Sequence, residues 1–320
     1  MYKKILVTGG NGFLGKHVME ELSVSYPEAE VLTFSSSELD LRNREDAINY
    51  FKKVAPDAVI SVAARLGGIG DNRNFPASYF YDNICIGINT IDASRMADVK
   101  KLVLIGTVCS YPEITPAPFK EEDLWNGYPE PTNGPYGIAK KAVGEYAQAV
   151  QKQYGLSSVH LLLTNLYGPG DDFRDTTSHV IPAFIKKIIF AKEHNLPSIE
   201  AWGDGSPTRD FLYVKDAAKG IVLSLRHTDP APVNIASGQD ISIKELYLLL
   251  CELIGFKGEV IWDSTKPNGQ PKRLLDITKA RNYFGYAPDM SFHDGLKESI
   301  DWYLKNRDWI DALKSKFNDE

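Results

Sequence analysis

The sequence has few cysteines, no excess of basic residues and no long apolar run. Its 320 residues include three cysteines, Cys85, Cys109 and Cys251, and no two of them are closely spaced. This count provides neither a disulfide framework nor the paired cysteines of a zinc site. We therefore expect a reducing, cytoplasmic environment and no bound metal.

The charge balance is acidic, with 36 Lys and Arg against 42 Asp and Glu and a net charge of −6. A nucleic-acid partner is not expected, because binding a phosphate backbone requires a basic face. No apolar stretch approaches the length of about 18 residues that a membrane span requires. The opening MYKKILVTGG lacks the apolar segment of a secretory signal, so we expect no membrane association.

Apolar runs alternate with helix-like stretches through the first half of the chain. The predicted strands cover residues 3–9, 30–35, 57–64, 100–106 and 157–168, and the predicted helices cover residues 10–26, 43–56, 76–99 and 135–155. Alternation with short connections predicts an α/β fold with a doubly wound parallel sheet of the Rossmann type.

The alternation weakens after Gly168, where helical stretches are separated by loops rich in Gly, Asp and Pro. We expect a dinucleotide-binding Rossmann domain over residues 1–168. A smaller C-terminal α/β domain for the substrate is expected over residues 169–320. The apolar segment 210–228 is expected to return to the first domain.

A glycine-rich loop, GGNGFLG, follows the first predicted strand and begins the first predicted helix. Gly9, Gly12 and Gly15 allow a tight turn and a close approach of the backbone to a pyrophosphate. The positive end of the helix dipole favours that anion. We expect this loop, with Phe13 and Leu14, to bind a dinucleotide cofactor.

The end of the second predicted strand indicates which cofactor is bound. An NAD site usually has an acidic residue here to accept the ribose hydroxyls. This chain instead has Ser35, Ser36 and a third serine, and Glu38 is expected beyond the strand tip. The neutral donors favour a 2′-phosphate, and therefore NADP(H). Asp40 and Leu41 are expected to border the adenine.

Two further segments carry groups that can transfer protons. Tyr136 and Lys140 are four residues apart in a predicted helix, so they share one face. A nearby ammonium is expected to lower the pKa of the phenol, which would exchange a proton with a carbonyl or alcohol oxygen. Thr107 and Cys109 follow the buried strand at residues 100–106. Taken alone, Cys109 fits either a core thiol or an acid/base group.

With the glycine loop, these motifs resemble the extended short-chain dehydrogenase/reductase family, and within it the GDP-L-fucose synthase group. The matching pieces span most of the chain in order: AARLGGI (Ala63–Ile69), GTVCSYP, EPTNGPYGIAKK, TNLYGPGDDF, SHVIPAFI and WGDGSPTRDFLYVKDAA. The resemblance implies an NADP(H)-dependent enzyme with a GDP-sugar substrate, which it epimerises at C3 and C5 and then reduces at C4.

The resemblance also implies roles for individual residues. Cys109 and His179 would be the acid/base pair of the epimerisation. Tyr136 would protonate the C4 oxygen, assisted by the hydroxyl of Thr107, where the family usually has serine. Lys140 would tune the phenol and hold the cofactor ribose, and the residues implied beside the cofactor also include Ala63 and Ala64.

The implied substrate contacts are Asn165, His179, Val180, Trp202 and Arg209. Arg209 is the best candidate to clamp the diphosphate, and the less favoured alternative is a surface ion pair with Asp210. Trp202 would stack on the base, but it also fits a core position. Lys272 and Arg273 are weaker candidates for the diphosphate.

Three alternatives stay open at this point. One is a reductase without epimerase activity or one that acts on a related GDP-keto-sugar, such as a heptose. The others are a C4 epimerase with bound NAD and a non-enzymatic NADP-sensing regulator on the same fold. A dehydratase is disfavoured, because no acidic residue follows Thr107 closely.

The family also implies a homodimer that pairs the helices Pro76–Val99 and Pro135–Gly155 in a four-helix bundle. Ile84, Ile88 and Ile91 form a stripe on the first of these helices. Such a stripe fits packing between subunits or packing within one chain.

Overall fold

The computed structural model describes residues 2–67, 69–174, 177–266 and 268–317. Gly68 of the AARLGGI motif lies outside the described residues. Among the described residues, no helix combines the length and the apolar character that a membrane span requires.

The strands are short, and most are buried. They are β1 (Lys4–Thr8), β2 (Glu30–Leu32), β3 (Ala58–Ser61), β4 (Lys101–Thr107), β5 (Ser158–Leu163), β6 (Asn165–Tyr167), β7 (Ser198–Trp202), β8 (Thr208–Arg209), β9 (Phe211–Tyr213), β10 (Pro232–Ile235), β11 (Ile241–Ser242), β12 (Glu259–Asp263) and β13 (Lys272–Arg273).

The helices connect these strands. They are α1 (Phe13–Ser25), α2 (Arg44–Val54), α3 (Ile69–Asn74), α4 (Pro76–Met96), α5 (Gly134–Tyr154), α6 (Val180–Glu193), α7 (Val214–Leu223), α8 (Ile243–Ile254), α9 (Thr278–Phe284) and α10 (Phe292–Phe317). In α2, the Asn43 side chain accepts the first free amides, and acidic and basic residues occupy the ends where the dipole favours them.

Six parallel strands form the main sheet in the order β10-β5-β4-β3-β1-β2. Successive strand residues face two different cores. Ile5 and Val7 pack with α1 and α7, whereas Leu6 packs with α2, α4 and α5. Burial on both faces explains why these strands are almost wholly apolar. The predicted doubly wound α/β fold is confirmed.

The carboxyl ends of these parallel strands meet at one edge of the sheet. Thr8 of β1 lies beside Ser61 of β3, and Thr107 of β4 lies beside Leu163 of β5. Ligands of doubly wound sheets bind in the crevice outside this edge. The glycine loop and the GTVCSYP segment both begin here.

A second core is formed mostly by residues that follow β6 in the chain. It is formed by α6, α8 and α10 together with the parallel pair of β7 and β12. Aromatic rings fill much of it, and Phe173 stacks on Tyr303 with the ring centroids 4.7 Å apart. This second core fits the smaller α/β unit that the sequence predicts, and the division into two domains stays a prediction.

The predicted strand over residues 157–168 is wrong as a single element. It divides at Thr164 into β5, in the main sheet, and β6, which pairs with β9. The Thr164 hydroxyl and the Asn165 amide both donate to the carbonyl oxygen of Asp210, at 2.9 and 3.2 Å. These two bonds tie the point of division to the segment that leads into β9, the strand with which β6 pairs.

The segment 210–228 contributes to the first core through Leu212, Val214 and the helix α7. The main sheet also includes β10, although the sequence pattern assigned its residues to the second unit. We therefore propose a first domain that comprises residues 1–168 and 210–235, with the remaining residues forming the second.

Part of the isoleucine stripe on α4 packs against the core of the same chain. Ile91 is fully buried, and Ile84 packs against the same core. Helices α4 and α5 pack closely, since a Cβ atom on Gly87 would lie 2.4 Å from Cγ2 of Val143. Packing within the chain is therefore correct for Ile91.

Two glycines enclose the buried ring of His160 between β4 and α5. A Cβ atom on Gly144 would lie 2.1 Å from Nδ1 of His160, and one on Gly106 would lie 2.4 Å from Nε2. Burial lowers the pKa of His160 to about 3, and the nearby Lys140 adds to this effect. The ring is therefore neutral near pH 7.

We expect Gly144→Ala to lower the free energy of unfolding by about 1–3 kcal/mol, because the added methyl group overpacks the slot. In a His160→Ala background the same substitution should cost nothing, because the ring is gone. Denaturant unfolding of the two single variants and the double variant measures this coupling. Equal destabilisation by Gly144→Ala in both backgrounds would contradict the packing account.

Candidate active site

The glycine loop forms a tight turn between β1 and α1. Gly9 has a φ of +70°, and its carbonyl oxygen accepts the N–H of Gly12 at 3.0 Å. A Cβ atom on Gly15 would lie 2.0 Å from that oxygen, so the loop closes only with glycine there.

The first turn of α1 carries backbone donors and no negative side chain. Gly12 precedes the helix, no side chain caps it, and the first turn holds no acidic residue. The first amides of a helix, here those of Phe13, Leu14 and Gly15, lack partners within the helix. The loop therefore fits a dinucleotide pyrophosphate, as the sequence predicted.

The end of β3 closes the loop from the other side. A Cβ atom on Gly9 would lie 2.8 Å from the backbone nitrogen of Ala63. The Ala63 N–H donates to the Thr8 hydroxyl at 3.2 Å, which ties β3 to β1. Ala63 and Ala64 are both half-buried beside the loop, and their contact with the cofactor stays a prediction.

Glu38 lies beyond the end of β2, as predicted, and it folds back on the serine turn. Its carboxylate accepts hydrogen bonds from the N–H and the hydroxyl of Ser35, both at 2.7 Å. The Ser35 N–H, followed by its hydroxyl, lowers the pKa of Glu38. Ser36 is exposed beside this contact. A negative charge is therefore part of the turn.

The two residues expected beside the adenine have different environments. The Asp40 carboxylate accepts both Nε and Nη2 of Arg42, at 3.0 and 2.8 Å. Leu41 is 5% exposed and packs in the core with Phe34 and Ile48. An adenine that contacts Asp40 would therefore meet a carboxylate that is already paired with Arg42.

Thr107 and Cys109 lie at the end of β4 and in the short 3₁₀ turn Val108–Ser110. The Thr107 hydroxyl accepts the Cys109 N–H at 3.2 Å. A Cβ atom on Gly137 would lie 2.2 Å from the Cys109 carbonyl oxygen, and the Ser110 hydroxyl donates to the Gly137 carbonyl at 3.0 Å. The turn is thus packed directly against the start of α5.

Tyr136 and Lys140 lie on α5 and are both almost fully buried. The predicted lowering of the Tyr136 pKa is wrong. Burial raises it well above its ordinary value, Cys109 adds to the rise, and a hydrogen bond with Thr107 opposes it. Burial also lowers the pKa of Lys140 to about 8. Burial therefore favours the neutral form of both groups.

Tyr79 on α4 is a site neighbour that sequence reasoning missed. Its ring meets that of Tyr136 edge-to-face, with the centroids 6.4 Å apart, and its hydroxyl donates to Asp71. The Arg65 guanidinium lies 5.2 Å from the centroid of the Tyr79 ring. No local motif marks Tyr79, because its role depends on the packing of α4 against α5.

His179 immediately precedes α6 in the second unit, and its side chain is 54% exposed. Its Nδ1 atom lies 3.8 Å from Oδ1 of Asp171. That carboxylate raises the pKa of His179, and burial opposes the rise. Val180, the first residue of α6, is 37% exposed.

Arg209 on β8 does not form the surface ion pair with Asp210. Asp210 is fully buried, and its carboxylate accepts hydrogen bonds from the N–H and hydroxyl of Ser237 and from the N–H of Gly238. Burial lowers the pKa of Arg209 to about 10, and repulsion by Arg273 lowers it further. Cys109 acts in the opposite direction and raises this pKa. Arg209 therefore extends the group formed by Thr107, Cys109, Tyr136 and Lys140.

The other predicted substrate residues are more dispersed. Trp202 is 68% exposed at the end of β7, so its interpretation as a core residue is wrong. Asn165 is half-buried, and its amide donates to the carbonyl of Asp210 at 3.2 Å. Lys272 forms a 3.0 Å ion pair with Asp240. The described residues contain no cluster of three metal-ligating side chains.

We expect Lys140→Met to raise the free energy of unfolding at pH 7 by an amount on the order of 2 kcal/mol, because the folded chain buries an ammonium. Between pH 8 and the ordinary lysine value, the unfolded chain binds more protons at this position. Wild-type stability therefore rises with pH there, and the advantage of the variant should shrink by pH 10.

Lys101→Met is the matched control, since burial lowers the pKa of Lys101 to about 8 as well. The Lys101→Met variant should also be more stable than wild type at pH 7 and lose this advantage by pH 10. Denaturant unfolding at pH 7 and pH 10 measures the free energy of unfolding of both variants. A Lys140→Met variant that is less stable than wild type at pH 7 would refute this account of the burial.

Comparisons with known proteins identify the family of this chain. The profile of the NAD dependent epimerase/dehydratase family matches residues 5–236. The GDP-L-fucose synthase 1 of Arabidopsis thaliana is 40% identical over 304 residues, which cover 95% of this chain and 94% of that protein.

Two solved structures share the fold over nearly the whole chain. A GDP-6-OMe-4-keto-L-xylo-heptose reductase from C. jejuni has a TM-score of 0.88 at 28% identity and covers 95% of this chain and 98% of its own. A GDP-L-fucose synthetase from Naegleria fowleri bound to NADP has a TM-score of 0.86 at 28% identity, with coverages of 96% and 94%. This chain therefore belongs to the NAD dependent epimerase/dehydratase family, in the branch that contains the GDP-L-fucose synthases.

Proposed function

We propose that the protein converts GDP-4-keto-6-deoxy-D-mannose to GDP-L-fucose, by epimerisation at C3 and C5 followed by NADPH-dependent reduction at C4. The observation that carries the proposal is the position of Cys109. The turn that holds it packs on α5 at Gly137, and Cys109 lies close enough for a negative charge on its sulfur to raise the pKa of both Tyr136 and Arg209. A thiol with these neighbours is part of the reactive group.

The epimerisation uses the acidity of the substrate. A C4 ketone acidifies the protons on C3 and C5, and inversion needs one group to remove a proton and another to return one from the opposite face. Cys109 and His179 take these parts, because a thiol and an imidazole both titrate close enough to neutrality to give or accept a proton.

The reduction needs a proton at the C4 oxygen. Tyr136 supplies it, since burial keeps the phenol protonated at neutral pH and a protonated phenol is the form that donates. The Thr107 hydroxyl hydrogen-bonds the same oxygen and stabilises its developing charge. Lys140 lies one helical turn further along α5 and holds the ribose of the cofactor. NADPH, when bound, supplies the hydride.

The cofactor would be held by the glycine loop and by the serine turn. The amides of Phe13 and Leu14 would bind the pyrophosphate, and Ser35 and Ser36 would donate to the 2′-phosphate. The Glu38 carboxylate already occupies the Ser35 hydroxyl, so binding of the 2′-phosphate must displace it or share that donor. The NADP-bound fucose synthetase with the same fold supports this cofactor.

The substrate diphosphate would meet Arg209 and the neighbouring Arg273. Two guanidinium groups that repel one another in a desolvated site favour an anion between them. Asn165 and Val180 would border the sugar and the nucleotide. Trp202, exposed at the end of β7, offers a ring face for the guanine.

A second candidate is a reductase that acts on a GDP-keto-heptose without epimerisation. The heptose reductase from C. jejuni, with its TM-score of 0.88, favours this candidate. The methyl group of Thr107 also changes the space beside the C4 oxygen. The two candidates differ in whether the C3 and C5 protons exchange with solvent.

We also propose a homodimer in the cytoplasm. Part of α4 stays exposed, with Phe80 at 40% and Tyr81 at 64% exposure, and α5 lies beside it. A second copy would cover these rings in a four-helix bundle. All three cysteines are free thiols, which fits a reducing compartment.

The decisive substitution is Cys109→Ser, assayed in D2O with NADPH and GDP-4-keto-6-deoxy-D-mannose. Deuterium uptake at C3 and C5, measured by NMR, should fall by about 10²–10⁴-fold, because the hydroxyl is a far weaker acid/base group. Some NADPH oxidation should persist, since Tyr136 and Lys140 are untouched.

Cys251→Ser is the matched control, because Cys251 is buried in the second core and removed from the site. It should take up deuterium at the wild-type rate. Wild-type uptake by Cys109→Ser would return Cys109 to the role of a packing residue.

A further inference from the structure

A buried carboxylate lies behind His179. Asp171 is 7% exposed and follows β6 in a loop, where its N–H donates to the Gly168 carbonyl at 3.3 Å. Its Oδ1 atom accepts the Asp172 N–H at 2.7 Å. Its Oδ2 atom is buried and has no hydrogen-bond partner among the described residues. A buried acceptor without a partner is uncommon and calls for a role.

The His179 ring presents only one of its nitrogens to this carboxylate. Nδ1 lies 3.8 Å from Oδ1 of Asp171, which is an ion-pair contact somewhat longer than a hydrogen bond. Because the side chain is about half exposed, the ring remains accessible. Nε2 is therefore the nitrogen left for the substrate.

We propose that Asp171 is a positioning residue for His179: its buried carboxylate fixes the imidazole through Nδ1 and favours the protonated ring, which leaves Nε2–H to return the proton in the epimerisation. This inference rests on the proposed function, because it assumes that His179 is one of the two acid/base groups. Asp171 itself does not touch the substrate.

The position of His179 explains why such a partner is needed. The residue immediately precedes α6, where the positive end of the helix dipole disfavours a second positive charge. A carboxylate in contact with the ring offsets this effect. Consistently, Asp171 raises the pKa of His179, and His179 opposes the rise that burial causes in the pKa of Asp171.

The proton balance follows from these contacts. The Cys109 sulfur, as a thiolate, takes the proton of the C–H bond that breaks, and the electron pair moves to the C4 oxygen as an enolate. The enolate carbon then takes a proton from Nε2 of the protonated His179 on the opposite face. This leaves a thiol and a neutral imidazole, whose Nδ1–H stays toward the ionised Asp171. Proton exchange with solvent returns the thiolate and the imidazolium before the next inversion.

A second acidic residue provides a control for the charge alone. Asp171 and Asp172 are the described carboxylates that act on His179. The Asp172 carboxylate already has other partners, because it accepts hydrogen bonds from the Arg174 guanidinium and from the Thr177 hydroxyl. A positioning role therefore belongs to Asp171, whereas a general effect of negative charge would be shared by both.

The first test is an NMR titration of the histidines in the full-length protein. With six histidines in the chain, the signal of His179 can be assigned from a His179→Gln variant. We expect Asp171→Asn to lower the pKa of His179 by about one pH unit, and Asp172→Asn to change it much less. Equal effects of the two variants, or no effect of Asp171→Asn, would overturn the proposal.

The second test measures deuterium uptake at C3 and C5. We expect Asp171→Asn to slow uptake by about tenfold, less than His179→Gln, with the acidic limb of its pH profile moved down with the His179 pKa. Asp171→Glu should restore part of the rate. Wild-type uptake by Asp171→Asn, while His179→Gln is defective, would refute the positioning role alone. Wild-type uptake by His179→Gln would instead refute the assigned pair.

Discussion

The contact between Gly137 and the carbonyl of Cys109 is the constraint on which the reactive group depends. Only a residue without a Cβ atom lets the turn after β4 pack directly against the start of α5. This contact places Thr107 and Cys109 beside Tyr136, although they lie on different elements. A larger residue at position 137 would separate the thiol from the phenol without altering either side chain.

Burial then determines how these groups titrate. The spacing of Tyr136 and Lys140 predicts a lowered pKa for the phenol, but burial raises the pKa of Tyr136 and lowers that of Lys140. The consequence suits a reductase, since the phenol starts as a proton donor. It also carries a stability cost, because the chain keeps a buried ammonium for chemistry that a core residue could not perform.

Much of the fold could be predicted because its signals are local. The glycine loop, the apolar strands and the Asn43 cap of α2 are all visible in short stretches of sequence. The division of residues 157–168 was not, since it depends on the distant carbonyl of Asp210. The position of β10 in the main sheet is likewise set by pairing with β5, a long-range contact.

The site was predictable in its residue types and less so in its surroundings. Tyr136 and Lys140 stood out by their spacing, and Cys109 and His179 by family resemblance. Their partners did not: Tyr79 reaches Tyr136 only through helix packing, and Asp171 reaches His179 across a loop. Glu38 lies beyond the strand as predicted, but its contact with Ser35 depends on how the turn folds back.

The central claim is that one site both inverts C3 and C5 and reduces C4. The most direct measurement follows the wild-type protein in D2O with NADPH and GDP-4-keto-6-deoxy-D-mannose, and determines the configuration and isotope content of the product by NMR. The account predicts an L-fuco product that carries deuterium at C3 and C5, with one NADPH oxidised for each product molecule. A reduced product that keeps the original C3 and C5 configuration and contains no deuterium there would contradict it.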